Sequence, residues 1–301
     1  MGRRAVAKPS ETEAEKDLLN DESFSGRQFI TALARGLDVL GAFRVGDPPL
    51  SNQELARRCR LPRPTISRIT HTLTELGYLS YHEGFGCYEL GGAMLTLGHV
   101  AKASFDALQD AIPIMSELAA FSNANVGIGT RDRLNMLYLI VAKSPSGIGL
   151  RFEAGSKMPL IQTAMGRAYL VSLGGDEGET LEARLLKRYA DEADEVQAAI
   201  GAARAEYAKH GFCSSVGNWH EDVNGIAAPI RWPAMADTLV LNCGAPASLL
   251  PRKRMLEEVG PKLVEAAQSI GEMLQASDAA KAAHWTGKAD APARKNPQDM
   301  S

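Results

Sequence analysis

Between Thr31 and Leu90 the chain carries a dense series of helix start and stop signals, and their order leaves few folds open. In Thr31–Phe43 the residues Leu33, Leu37, Leu40 and Phe43 recur at helical spacing, and Gly46-Asp47-Pro48-Pro49 ends the pattern. Ser51-Asn52-Gln53-Glu54 then reads as a capping box. The Ser51 hydroxyl accepts from the Glu54 amide while the Glu54 carboxylate reaches back, and Leu55, Ala56 and Cys59 give the buried face of a short helix. After Arg60-Leu61-Pro62, the segment Arg63–Leu76 sets Ile66, Ile69, Leu73 and Leu76 along one side of a third helix, and Gly77 suits the left-handed turn at its end. YLSYHEGFGCYEL follows as two short runs around Gly84-Phe85-Gly86, which predicts a hairpin. Helix, short helix, turn, third helix and hairpin make a winged helix-turn-helix.

That geometry assigns chemistry to side chains. At 100° per residue the apolar side of the third helix leaves Pro64, Ser67, Arg68, His71 and Glu75 on the other side. Arg68 can grip guanine O6 and N7 with two donors, Ser67 can serve a base edge or a phosphate, and His71 can reach either. Arg63 and Thr65 stand at the helix start, where side chains and exposed amides meet phosphates and so position rather than specify. Arg57, Arg58, Arg60, Arg63 and Arg68 fall within twelve residues that contain no Asp or Glu. The whole chain carries 33 Lys plus Arg against 36 Asp plus Glu, a net charge of −3, so this cluster is a local footprint and Arg57 and Arg58 read as phosphate contacts. Tyr81, His82 and Phe85 in the hairpin suit either a wing touching the minor groove or packing.

Downstream, the pattern changes. Met94, Leu95, Leu97 and Val100 suggest a short helix after Gly91-Gly92, and Leu108, Ile112, Met115 and Leu118 another, which Pro113 kinks or opens. From Asn125 come short apolar runs (NVGIGT, LNMLYLIVAK, GIGLRF, GIAAPI, TLVLNC) that read as strands of one sheet. Helical stretches interleave near Thr163–Leu173, Leu181–Arg188 and Val196–His210, and a last one spans Arg252–Gln275. Helices on a mainly antiparallel sheet make this half α+β.

Several function classes find no support. No run reaches the ~18 apolar residues of a membrane helix, and the first thirty residues hold no signal-type apolar core, so a cytoplasmic protein is expected. Cys59, Cys87, Cys213 and Cys243 fit neither a zinc knuckle nor a disulfide framework. Cys213, Ser214, Ser215, His220 and Asp222 can be written as a nucleophile, base and acid, but no G-x-S-x-G elbow supports them. Glycine-rich nucleotide loops and H-E-x-x-H are absent as well, and His210, His220, Cys213 and Glu221 have no metal-ligand spacing. The expectation is no enzyme, no metal and no cofactor.

ALARGLDVLGAF, LSNQELARRCRLPRPTISRITHTLTELGYL and CYELGGAMLTLG resemble the DNA-binding half of the IclR family of bacterial transcription regulators. The likeness continues through MPLIQTAMGRAYL, HGFCSSVGNWHEDVNGIAAPI and TLVLNCGAPASLL, and so covers roughly residues 27 to 275. It implies a winged helix-turn-helix domain over 27–90, a linker helix over 91–105 and a GAF-like effector-binding domain over 106–276. Disordered segments at 1–26 and 277–301 would flank them. It also implies homodimers or homotetramers on palindromic or repeated double-stranded operator sites, repressing or activating catabolic operons in response to a small organic or aromatic acid. Carried over by position, the effector pocket holds Ala164, Met165, Ser215, Gly225, Leu241 and Cys243. Where the family has an acidic residue, a cysteine and a serine, this chain has Ser215, Gly225 and Leu241, which implies a larger or more apolar acid. Arg151 or Arg167 would supply the counter-charge. The alternative is a second domain that mediates protein assembly without a metabolite.

Overall fold

The computed structural model describes residues 29–104, 106–145, 150, 152–233 and 238–289. They belong to two compact units that divide between Asp106 and Ala107. The arm read over 1–26 lies outside the described residues, as does Arg151.

In the first unit, α1 (Thr31–Gly41), α2 (Asn52–Cys59) and α3 (Arg63–Glu75) pack around Val39, Ala42, Leu50, Leu55 and Ile66. Strands β1 (Leu50–Ser51), β2 (Leu79–His82) and β3 (Cys87–Leu90) form an antiparallel sheet in the order β1-β3-β2. The expected hairpin is therefore present, and β1, too short to show in the sequence, closes its free edge. Local causes set the helix ends. Ser51 Oγ accepts from the Glu54 amide at 3.3 Å. Pro64 lies in the first turn of α3, where an amide has no partner within the helix. Gly77 takes φ +75° beyond the other end, and the Tyr78 amide returns to Leu73 O at 2.9 Å. A side chain at Gly91 would begin 2.3 Å from Gly77 O, so only glycine lets the chain cross there before α4 (Gly92–Ser104).

Two expectations about this unit change. Only half of the capping box forms, because the Glu54 carboxylate turns to Arg57 and Arg58 instead of its own helix start. The stripe on α1 faces the core only at its C-terminal end: Leu33 and Leu37 are 60% and 56% exposed, whereas Phe43 packs against the core that Val39 and Ala42 help to fill.

The second unit opens with a 3-10 turn over Asp106–Ala111 and α5 (Ile112–Ser122), with Pro113 in the first turn of that helix. Its sheet contains β4 (Asn125–Asp132), β5 (Asn135–Ala142), β6 (Lys157–Pro159), β7 (Cys213–Val216), β8 (Val223–Ile230) and β9 (Leu239–Pro246). The order is β6-β5-β4-β9-β8-β7, and every neighbouring pair is antiparallel. One face is covered by α6 (Ala164–Ser172), α7 (Gly175–Arg188) and α8 (Ala193–His210) over Met136, Tyr138, Met165, Tyr169 and Leu185. The other is covered by α5 and by a C-terminal helix in three parts. These are α9 (Arg252–Arg254), a π-helical turn over Met255–Val259, and α10 (Gly260–Ala289). No described helix is long and apolar enough to cross a membrane.

The last helix, α10, runs on past 277 to Ala289, and the Trp232 indole donates to Asp278 within the segment read as a tail. The strand read over GIGLRF falls largely outside the described residues, and its described members Leu150 and Phe152 are not in a strand. The sheet instead gains the short edge strands β6 and β7.

Candidate nucleic-acid interface and candidate ligand cup

The helix α3 buries Ile66 and Thr70 and presents Arg63, Pro64, Ser67, Arg68, His71 and Glu75 to solvent, with Thr65 half-buried. Thr70 is a residue the apolar stripe did not announce. Its hydroxyl donates to Asn52 Oδ1 at 3.1 Å and fixes the angle at which α3 leaves the start of α2. The exposed side therefore sits on a helix braced at both ends.

The arginine cluster is smaller electrically than it reads in sequence. Arg57 donates from Nε and Nη2 to Glu54 at 2.8 and 2.6 Å, although its side chain remains 66% exposed. Arg58 is only 16% exposed. It donates to Glu54 from Nε at 2.8 Å, to Ala42 O at 2.8 Å and to both carboxylate oxygens of Asp47. Arg57, Arg58, Glu54 and Asp47 thus cancel, which leaves Arg60, Arg63 and Arg68 as the net positive charge beside α3. Arg58 is corrected from a phosphate contact to an internal brace, because its donors are engaged before any phosphate approaches.

The hairpin carries no lysine or arginine. Tyr81 packs on Tyr88 with ring centroids 4.8 Å apart, and His82 Nε2 lies 3.1 Å from Glu89. Phe85, at the tip, is 85% exposed.

In the second unit, strand alternation sorts the residues carried over for a pocket. Ser215 pairs with Gly225, and the Cβ of Ala164 lies 3.8 Å from where a side chain at Gly225 would begin. Met165 packs beside them with its Sδ over Gly129. These four converge on the face that α6 covers. Leu241 and Cys243 do not. Cys243 lies opposite Ile226, which packs at Gly260 on the other face, and Ser122 of α5 bonds its thiol. The register moves these by one position: Asn242 and Gly244 lie on the face that α6 covers, while Leu241 and Cys243 face α5 and the C-terminal helix.

Asn242 donates from Nδ2 to Tyr138 Oη at 2.8 Å. Tyr138 reaches it by lying across Gly127 of the intervening strand, where a Cβ would stand 2.4 Å from its ring. Phe152 stacks on Tyr138 at 5.2 Å and Trp219 tilts against Phe152 at 5.7 Å, so three rings form one wall. Tyr138, Phe152, Trp219 and Asn242 were all missed in the sequence. The signal that could have found them was Gly127-Ile128-Gly129, two glycines at strand period on one face.

Arg167 is not a free counter-charge. Its Nε donates to Ile161 O at 3.0 Å and its Nη1 to Ser214 O at 3.0 Å and Asn218 Oδ1 at 3.4 Å, so it anchors the turn that carries Trp219. The nucleophile set also separates. Ser214 Oγ donates to Glu206 at 2.6 Å, Ser215 Oγ to Gln162 O at 2.9 Å, and His220 packs edge-on against Trp219. Burial pushes the Cys213 thiol up to about 12, far from a reactive thiolate. Among the described residues no group of three His, Cys, Asp or Glu is placed to hold a metal ion.

Comparison with known proteins agrees with both units. Residues 32–83 match the IclR helix-turn-helix domain, and residues 99–272 match the bacterial transcriptional regulator IclR C-terminal family. The chain is 32% identical to the HTH-type transcriptional regulator TsaQ1/TsaQ2 of Comamonas testosteroni over 84% of this chain and 91% of that protein. It is 25% identical to the Pca regulon regulatory protein of Pseudomonas putida over 84% and 87% of the two chains. It superposes on an IclR family transcriptional regulator from Brucella abortus with a TM-score of 0.73 and 35% identity, covering 88% and 99% of the two chains. With both halves matched in order, and with relatives that are regulators rather than enzymes, the chain belongs to the IclR family of DNA-binding transcriptional regulators.

Proposed function

We propose that the protein is a homodimeric or homotetrameric regulator whose occupancy of palindromic or repeated operator half-sites is set by a small organic acid held in the C-terminal cup. The exposed side of α3 carries this reading: Arg68, Ser67 and His71 face a groove, while Arg63 and Thr65 meet phosphates at the helix start. Ligand sensing is supported by the few polar groups, Ser215, Asn242 and Tyr138, set among apolar ones on one face of the sheet. Self-association is supported by α1, whose Leu33 and Leu37 are exposed one turn apart. The acid acts by favouring one arrangement of the α4 helices over another.

The test is selection from random duplex DNA at near-physiological salt, with and without a panel of carboxylic acids, followed by sequencing of the retained pool. The expected result is a motif with two related half-sites whose retention changes with one class of acid. A pool without a motif under every condition would overturn the reading.

A further inference from the structure

Among the described strands, β6 and β7 lie at the two ends of the second unit's sheet, and each has one side without a neighbouring strand. A row of unpaired amides and carbonyls on such a side is a template to which another chain can add a strand. The two ends meet this hazard differently. β6 is three residues long, begins with Lys157 and ends with Pro159, which has no amide to offer. β7 has none of these devices: Cys213-Ser214-Ser215-Val216 contains no proline and no charge, and it pairs with β8 in unbroken register.

Side chains from other elements close β7 instead. Ser214 turns both of its backbone groups away from β8. Its amide donates to Glu206 Oε2 at 2.8 Å and its hydroxyl to Glu206 Oε1 at 2.6 Å, so one carboxylate of α8 takes both donors. The Ser214 carbonyl accepts from Arg167 Nη1 of α6 at 3.0 Å. Two residues on, the Val216 amide points to the same side and donates to Asn218 Oδ1 at 3.0 Å, an oxygen that also accepts from Arg167 Nη1 at 3.4 Å. The outward amides of β7, those of Ser214 and Val216, are thus both engaged by side chains.

The partners at Ser214 are ions, and hydrogen bonds to ions are stronger than those between neutral backbone groups. An incoming strand offers only neutral partners, and it would strip Glu206 and Arg167, both half-buried, of bonds they already hold. Without those two side chains the strand suits a second copy of itself. Two β7 strands running antiparallel, with their Ser214 residues opposite each other, would exchange one amide-to-carbonyl bond in each direction.

We propose that Glu206 and Arg167 form an edge lock: by occupying the outward groups of Ser214 they keep β7 from adding the β7 of a second copy, which confines self-association to other surfaces of the chain.

The test uses the full-length protein and begins with wild type. In hydrogen exchange resolved to single amides, the Ser214 amide is expected to exchange at least tenfold more slowly than in an unstructured peptide, at every protein concentration. Fast exchange overturns the proposal without any variant, as does protection that appears only at high concentration, which would mean that a second copy already covers the edge. Glu206→Leu, alone or with Arg167→Met, is expected to give species in sedimentation velocity that are larger than any wild type forms and that increase with concentration, more so in the double variant. Adding Ser214→Pro removes the outward amide without touching a bond to β8, and is expected to abolish those species. Folded Glu206→Leu and double variants that sediment as wild type does overturn the proposal. Larger species that persist with Ser214→Pro overturn it too, because they would arise through another surface.

Discussion

Arg58 grips both carboxylate oxygens of Asp47, eleven residues earlier in the chain, while its Nε holds Glu54. The turn that follows α1 is thereby tied to α2, and Ala42 O takes a further donor at 2.8 Å. Removing the guanidinium leaves half-buried Asp47 without its charged partner, with only the Arg44 amide still donating to Oδ2 at 2.8 Å. Arg58→Ala is expected to destabilise the protein by about 1–3 kcal/mol in urea unfolding, the usual range for losing one partner of a charged hydrogen bond in a sheltered site. The salt dependence of DNA binding should be unchanged in the fraction that is folded. Normal stability with a shallower salt slope would return Arg58 to the phosphate-binding set.

The same network sets an acid limit. Hydrogen bonds from Arg57 and then Arg58 hold the Glu54 carboxyl down from its ordinary 4.5 to about 2, and the bond from Arg58 lowers Asp47 as well. Carboxyls whose folded values are depressed stabilise the fold above their unfolded values, and that contribution is lost as pH falls toward the folded ones. Melting temperature measured from pH 5 to pH 2 should therefore drop more steeply for wild type than for Glu54→Gln, which has nothing to protonate at that position. Parallel curves would show that Glu54 contributes nothing to folding.

How far the chain can be read from sequence follows the range of the interactions. The helix-turn-helix was legible because Ser51, Pro64 and Gly77 act on amides within a few residues of themselves. Arg58 was misread because its partner Asp47 is brought close only by the packing of α1 against α2. Leu33 and Leu37 have the right spacing for a buried stripe, and spacing alone does not say whether a protomer's own core or another surface covers it. Which residues share the face under α6 was legible on α6, β7 and β8 but not on β9. There a shift of one residue moves a side chain to the other face, and the shift is fixed by pairing with β4 and β8 rather than by anything within TLVLNC. Met165 shows the same limit: it lies at the predicted cup, yet it is fully buried over Gly129, so Met165→Glu would test folding before it tested response.

On the proposed reading, groove and phosphate roles separate on α3. Arg68→Ala is expected to lose about 1–3 kcal/mol at the selected operator and to relax the sequence requirement at one base pair of each half-site. Arg63→Ala should weaken binding to all duplexes alike and reduce the slope of log K against log salt by about 1 for each phosphate it no longer neutralises. Gel-shift titrations on the selected site and on single-base variants, at two or more salt concentrations, distinguish these outcomes. A uniform loss for Arg68→Ala and a base-selective loss for Arg63→Ala would exchange the two assignments.

The exposed stripe of α1 makes a prediction in which folding and assembly part company. Leu33 and Leu37 stand one helical turn apart, and Ile30 continues the same strip at 65% exposure, so among the described residues the chain presents apolar surface that its own core does not use. Charged side chains at these positions should change the stability of the isolated chain by no more than about 0.5 kcal/mol each, the usual range for open surface sites. In an interface between copies, two glutamates facing their counterparts would be buried or would repel. If the proposed dimer forms through this strip, Leu33→Glu with Leu37→Glu is expected to sediment as a monomer at concentrations where wild type sediments as a dimer. Affinity for a two-half-site operator should fall at least tenfold, and affinity for a single half-site should change little. A double variant that stays dimeric with full operator affinity would show that α1 is not the face through which the copies meet.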